Sequence, residues 1–332
     1  MKIYIYAIAK NEEKFVDRFM ESVKDADKVI VCDTGSTDKT IPLLEKRGAE
    51  VHKIQVSPFR FDLARNMALL HCEEADVVIA LDLDEIMTEG WREKIEKNWK
   101  AGETNLLKYR MTYSWRDKEQ TIPSLTIWGL KVHCPKTWIW VDPVNENLAL
   151  REGCKQNVVI VNEHLMVHHP EEKEERGGRI KMMKEWVERE PKNARALYCY
   201  GSELSYLKKW KESIDILKRY LSNSVAYAEN ERGRRASTCR LIAKGLNETK
   251  GDINEIMIWL LRGVGENPTQ REPWIWLAQG WLLAGDLDFA EVAVNRGLAI
   301  TNQEESLTQE HGCWSEQVDD LLKTIKKAKY GK

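Results

Sequence analysis

Several familiar signatures are missing from this chain, and each absence removes a class of function. No GxxxxGK[ST] phosphate loop occurs, which argues against a P-loop ATPase or GTPase. No GxGxxG follows the first apolar strand pattern, which argues against a dinucleotide oxidoreductase. The seven cysteines (Cys32, Cys72, Cys134, Cys154, Cys199, Cys239, Cys313) are scattered, odd in number and form no CxxC pair. Reduced thiols in a cytoplasmic protein are therefore expected, rather than a disulfide framework or a thiolate zinc site. The opening MKIYIYAIAK lacks a signal h-region, and no later run approaches a membrane span. With a formal net charge of -2 there is no global basic field for nucleic acid or anionic membrane.

What is present is ordinary in bulk and specific in order. The 332 residues suggest about two domains. The first hundred residues alternate β-α-β-α-β-α-β. Lys2 to Ala9, Lys28 to Cys32, Glu50 to Val56 and Val77 to Leu81 read as strands. Helices are expected from Glu12 (Phe15, Phe19 and Val23 on one face), before Gly48, over Phe61 to Cys72 (Leu63, Met67 and Leu70 inward) and over Trp91 to Trp99. Thr37 or Asp38 can cap the second of these. Short connections between such elements predict a parallel sheet. Beyond Gly102 come three strand patterns without helices, Asn105 to Trp115, Ser124 to Cys134 and Asn157 to Val161. Thr137 to Leu148 reads as an irregular loop, and a charged run from Pro170 to Arg179 leads into helix.

Polar groups collect at the predicted strand ends: Lys10 and Asn11, Asp33 to Ser36, Arg65 and Asn66 near a helix start, and Asp82-Leu83-Asp84-Glu85. In a parallel sheet the carboxyl ends of strands share one edge, where ligands bind. If the backbone stays extended, Asp82 and Asp84 face the same way, and two close carboxylates suit a hard cation such as Mg2+ or Mn2+. Asp33 can accept from a base or ribose, Gly35-Ser36 allows close backbone approach, and Arg65 can fork onto a phosphate. Each residue also has a plainer role: Asp33 as a turn residue, Arg65 as a helix surface charge, Glu146 as a solvated carboxylate, His168 or His169 as a strand end. The ordered set is what points to nucleotide diphosphate chemistry.

The segments AIAKNEE (7–13), VCDTGSTDKT (31–40), FDLARNMAL (61–69) and LDLDE (81–85) together resemble glycosyltransferase family 2. These are inverting enzymes of the GT-A fold, and the likeness covers roughly residues 1 to 170. It extends to the subgroup with tetratricopeptide-like repeats, such as bacterial peptide S-glycosyltransferases and related phage enzymes. The resemblance implies a UDP-sugar donor and Mn2+ or Mg2+. Ala7, Lys10 and Asn11 would border the nucleoside, Asp33 would touch uracil or ribose, and Arg65 would meet the diphosphate. Asp82 and Asp84 would form the DxD pair, with Asp84 the direct ligand. His168 or His169 would add a metal ligand, His168 being preferred. The acceptor-activating carboxylate would be Glu146, with Asp142 its rival, because Asn145 stands where related chains carry histidine.

The C-terminal half, 171–332, has helical periodicity throughout and an internal repeat. Gly251-Asp252-Ile253 and Gly285-Asp286-Leu287 are 34 residues apart, as are Arg262-Gly263-Val264 and Arg296-Gly297-Leu298. That is the tetratricopeptide period. Trp274, Leu277, Ala278, Trp281 and Ala290 fit its packing positions. An earlier copy runs through Leu197, Tyr200, Gly201, Leu204, Ser213, Leu217 and Tyr220, with an insertion at Ser222 to Gly233 after it. The middle copy puts Arg240 and Lys244 where packing residues usually stand. Trp314, Val318, Leu321 and Ile325 suggest a capping helix. Arg232, Arg234, Arg235 and Arg240 are expected on a solvated face, the alternative being a dock for an anionic acceptor. Such arrays serve as protein-binding or dimer surfaces. The expected whole is a GT-A domain (1–170) and a repeat domain (171–332), moving sugar, by default glucose, to a peptide, glycan or modified DNA base. The competing expectation is an interaction module that binds nucleotide without turnover.

Overall fold

A computed structural model describes residues 1–169, 177–227, 231–302 and 311–331. Most of the charged run 170–176 and part of the expected insertion (228–230) lie outside the described residues. The chain divides into two compact units, Met1–Arg176 and Gly177–Lys332.

The first unit is an eight-stranded sheet with helices on it. Its strands are β1 (Ile3–Ala9), β2 (Lys28–Asp33), β3 (Glu50–Lys53), β4 (Val77–Ala80), β5 (Glu85–Met87), β6 (Leu106–Trp115), β7 (Pro123–His133) and β10 (Val158–His168). Their order is β3-β2-β1-β4-β7-β6-β10-β5. The first four run parallel, and β7 and β5 run against their neighbours. β6 and β10 are again parallel to each other. The fully apolar strands β1 and β4 lie in the interior of the sheet, buried on both faces, as near-continuous hydrophobic runs require.

One face of the sheet packs Ile3, Ile5 and Ala7 against α1 (Val16–Ser22), α2 (Thr40–Lys46) and α4 (Trp91–Asn98), through Phe19, Leu44, Trp91 and Ile95. The other face packs Tyr4, Tyr6, Ile30 and Val78 against α3 (Phe61–Leu70). Here the expected helix phase is wrong by one residue. Leu63 and Leu70 are 44% and 61% exposed, while Asp62, Ala64, Arg65, Ala68 and Leu69 are buried. Small alanines let α3 approach the tyrosines of β1, and that same rotation carries Arg65 inward.

Three further expectations need correction. The third strand stops at Lys53 instead of Val56. Thr137 to Leu148 is no irregular loop: β8 (Trp138–Val141) and β9 (Asn147–Leu150) form an antiparallel hairpin. Asn66 anchors it to α3, accepting from the Trp140 backbone N–H at 2.9 Å and donating to its carbonyl at 2.8 Å. The fifth strand, β5, follows directly on a turn at Asp82–Glu85, where a simple strand end was expected.

The second unit is helical: α5 (Gly177–Arg189), α6 (Ala194–Tyr206), α7 (Trp210–Leu221), α8 (Arg232–Glu248), α9 (Ile253–Glu266), α10 (Arg271–Ala284), α11 (Leu287–Leu298) and α12 (Glu316–Tyr330). Successive helices pack as hairpins α6/α7, α8/α9 and α10/α11. The 34-residue offset is visible in the caps, since Asp252 opens α9 and Asp286 opens α11, each accepting a backbone N–H at 3.1 Å. Gly201 and Gly297 sit where helices touch: an added Cβ would meet Leu217 Cδ2 at 2.6 Å and Ile275 Cδ1 at 2.7 Å. Leu277, Ala278 and Ala290 are buried, with Trp274 and Trp281 packed on the same core, and α12 closes it through Val318 and Ile325.

The arginine cluster is a solvated face only in part: Arg232 is exposed, but the other three are packed. Arg235 is 5% exposed and paired with Glu266, Arg234 pairs with Glu231 over the Tyr198 ring, and Arg240 lies over Trp276. Aromatic and carboxylate partners in the repeat core absorb the charges that the sequence pattern assigns to solvent.

Candidate active site

The carboxyl ends of β1, β2, β4 and β10 carry the candidate residues, as a parallel arrangement dictates. At β1 and β2 the two loops are stitched together. The Asn11 N–H donates to Ser36 Oγ at 2.9 Å, and Asn11 Oδ1 accepts from the Thr37 N–H at 2.7 Å. Asp33 is 2% exposed, and its Oδ1 accepts from the backbone N–H of Gly35 and Ser36, both at 2.9 Å. The Ser36 hydroxyl donates to its other oxygen. Gly35 adopts a φ of +110°, which excludes most side chains and keeps this loop close to the strand ends. Ala7 is buried inside β1, and Lys10 is exposed just beyond it.

A chain of charges crosses the next two strand ends. Arg65, 4% exposed, donates Nε to Glu146 Oε1 at 2.6 Å and Nη2 to Asp82 Oδ1 at 2.7 Å. Its third nitrogen, Nη1, is buried without a hydrogen-bond partner. Lys131, on β7, reaches Glu85 at 2.6 Å and Asp82 Oδ2 at 3.3 Å. Although burial opposes its charge, Asp82 is held well below the usual carboxylate range by Arg65 and Lys131. Burial likewise works against Arg65, but Asp82 and Glu146 outweigh it and keep the guanidinium charged. Behind Arg65 the Trp140 ring lies 5.1 Å away. Trp140 Nε1 donates to the Tyr6 hydroxyl at 2.6 Å, and Tyr6 in turn meets His133 Nε2 at 3.2 Å. Burial pushes His133 down to about 3, so it is a neutral member of this wall.

Asp82 and Asp84 do not share a face. The Glu85 N–H donates to the Asp82 carbonyl at 2.9 Å, closing a turn that sends the two side chains to different partners. Asp84, 5% exposed, faces His168, with Oδ2 to Nε2 at 3.5 Å. His168 ends β10; its Nδ1 lies 3.0 Å from the Tyr113 carbonyl, and the two rings stack at 5.2 Å. An Nδ1–H donated to that carbonyl leaves the Nε2 lone pair aimed at Asp84, the usual second-shell arrangement of a ligating histidine. A carboxylate oxygen and an imidazole nitrogen held this way suit a divalent cation such as Mn2+. Asp82 is placed otherwise, since both of its oxygens already serve Arg65 and Lys131. His169 turns away, its Nδ1 2.7 Å from Gln120 Oε1 and its ring stacked on Trp115.

The structure therefore brings Arg65, Asp82 and Glu146 into one cluster, and Asp84 and His168 into contact at the far end of the Asp82–Glu85 turn. Asp142 lies in the hairpin turn with φ +78° and accepts from Asn147 Nδ2 at 3.1 Å. Lys131 and the Tyr6–His133–Trp140 wall were missed, and Glu85 was noted in the acidic run without a role. A signal existed for Lys131, a single cation between Leu130 and Val132 in an otherwise apolar stretch.

The model of glycosyl transferase family 2 matches residues 4–145, a span that includes Asp33, Arg65, Asp82, Asp84 and Lys131 but not Glu146, His168 or His169. Over residues 4–145 the chain is therefore similar to glycosyltransferase family 2. An uncharacterized glycosyltransferase of Rickettsia bellii is 36% identical over 97 residues, 29% of this chain and 32% of the relative. The SPbeta prophage-derived glycosyltransferase SunS of Bacillus subtilis is 25% identical over 224 residues, 65% of this chain and 52% of SunS. The chain thus spans about half or less of the length of these relatives. Among solved structures, S. aureus TarS aligns with 80% of this chain and 53% of its own at 12% identity and a TM-score of 0.40. No described helix is long and apolar enough to cross a membrane.

Proposed function

We propose that the protein is a metal-dependent, inverting glycosyltransferase that takes sugar from a UDP-sugar. The observation that carries this reading is Arg65. A buried guanidinium clamped by Asp82 and Glu146, with Nη1 unpartnered, leaves one donor for an anionic group such as a diphosphate. Asp84 and His168 would hold the divalent cation, which when bound neutralises charge on the leaving diphosphate.

In this reading Asp33 and the Asn11–Ser36 loops border the nucleoside, and Arg65 stabilises the departing UDP. Glu146 is the base. The acceptor O–H or S–H gives its proton to the Glu146 carboxylate while its oxygen or sulfur bonds to the anomeric carbon. The bond from that carbon to the diphosphate breaks with its electron pair leaving on UDP, and the centre inverts. Glu146 is preferred to Asp142 because it lies on Arg65, whereas Asp142 is turned across its own hairpin. The first candidate sugar is glucose, and the acceptor a peptide, glycan or modified nucleic-acid base.

The test is UDP release across a panel of UDP-sugars with Mn2+, followed by mass spectrometry of any acceptor that gains a hexose or pentose. Glu146→Gln should lose release and still bind UDP. Release from no donor, with UDP bound, would favour the nucleotide-binding module instead.

A further inference from the structure

The second histidine of the His168–His169 pair has no place in the proposed function, yet it is held at its amide, its carbonyl and its ring. Strands β6 and β10 run parallel and finish at the same edge of the sheet, but β6 goes further. Thr112 pairs with Val167, so Tyr113 comes level with His168 and Trp115 lies two residues beyond it. That overrun lets the indole close over the dipeptide. Trp115 Nε1 donates to the His168 carbonyl at 2.7 Å, and the indole stacks on the His169 ring, with centroids 4.9 Å apart and planes at 19°.

The rest of His169 is fastened just as closely. Its backbone N–H donates to the Asp84 carbonyl at 2.8 Å, its carbonyl accepts from Arg18 Nη2 at 3.2 Å, and Nδ1 lies 2.7 Å from Gln120 Oε1. The peptide that follows His168 is thereby tied to the main chain of Asp84, the residue whose carboxylate His168 Nε2 faces at 3.5 Å. A peptide free to turn here would carry the imidazole off that carboxylate. The indole N–H, which holds the His168 carbonyl, and the stacked ring, which holds His169, remove that freedom.

We propose that Trp115 and His169 are positioning residues, locking the His168 peptide so that its imidazole stays on Asp84 for the divalent cation. The inference rests on the reading of Asp84 and His168 as the metal ligands. It makes His169 a stacking surface and not a third ligand. Partners that orient a ligand from outside the coordination shell typically change metal affinity by about 10–100-fold.

The test is to titrate UDP calorimetrically into the full chain, at fixed Mn2+ and in chelator, and to read the gain in UDP affinity that Mn2+ confers. Trp115→Phe keeps a ring for His169 but loses the N–H, and His169→Ala loses the ring. Each should cut the Mn2+-dependent gain by about 10-fold or more, with melting in chelator unchanged. His169→Phe restores a stacking face without a ligand nitrogen, and should keep the gain within about threefold of wild type. A loss in His169→Phe as large as in His169→Ala would make His169 a ligand and overturn the proposal. A gain lost in Asp84→Ala but intact in Trp115→Phe and His169→Ala would overturn it while leaving the metal site standing. No gain in the wild type would take down both.

Discussion

Each of the two units buries an arginine on a glutamate, and the two differ in what their remaining nitrogens meet. Arg65 in the sheet unit is 4% exposed and Arg235 in the helical unit is 5% exposed. Each donates Nε to a glutamate carboxylate at 2.6 Å, Glu146 in one case and Glu266 in the other. Arg235 then spends Nη1 on the Ala226 carbonyl at 2.6 Å, whereas Arg65 leaves Nη1 without a partner. A buried donor with no acceptor costs roughly 1–3 kcal/mol, and the cost is tolerable where a ligand supplies the acceptor. Arg235 closes a helical packing. Arg65 keeps one nitrogen unspent.

Substitution should separate the two roles. Arg65→Ala should lower transfer by about 10²–10³-fold, the usual loss when one donor to a developing oxyanion is removed. Arg235→Ala should leave the rate per folded molecule unchanged, as read by UDP release. It should instead destabilise the helical unit by about 3 kcal/mol in chemical unfolding, because Glu266 loses its closer partner. If the two variants behave alike, the distinction fails.

Smaller effects sharpen the same contrast. Gly297→Ala drives a Cβ toward Ile275, so overpacking should cost about 1–3 kcal/mol with no change in UDP affinity. In the sheet unit the corresponding probe is pH. His133 has a folded value of about 3 against 6.5 in the unfolded chain, so the unfolded state takes up the proton first. Its contribution to stability is complete above about 6.5 and is lost as pH falls toward 3, at up to about 1.4 kcal/mol per pH unit. His133→Gln, which keeps a hydrogen-bonding side chain that does not titrate, should flatten that part of the urea-unfolding profile.

The alternation of strands and helices in the first hundred residues and the segments that carry polar ends could be read from the sequence, because apolar runs and turn residues report local structure directly. The orientation of individual side chains could not. Leu63, Met67 and Leu70 form a good apolar stripe, yet α3 turns its alanines inward, since the tyrosines of β1 need small partners, and the same phase carries Arg65 inward. Asp82 and Asp84 look like an extended pair, but the Glu85 backbone closes a turn between them. Lys131 and Glu146 are 49 and 64 residues from Asp82 in sequence, and only the sheet and its hairpin bring them together. The 34-residue repeat was visible because packing positions recur, whereas the pairing of Arg235 with Glu266 depends on how neighbouring helices meet.

The central claim is that Asp84 and His168 complete a metal-assisted UDP site beside Arg65. It is tested most directly by titrating UDP into the protein calorimetrically, with and without Mn2+, for the wild type and Asp84→Ala. The account predicts Mn2+-dependent binding in the wild type and its loss in Asp84→Ala, with unchanged melting without metal. Equal binding by the two proteins, or binding indifferent to Mn2+, would contradict it.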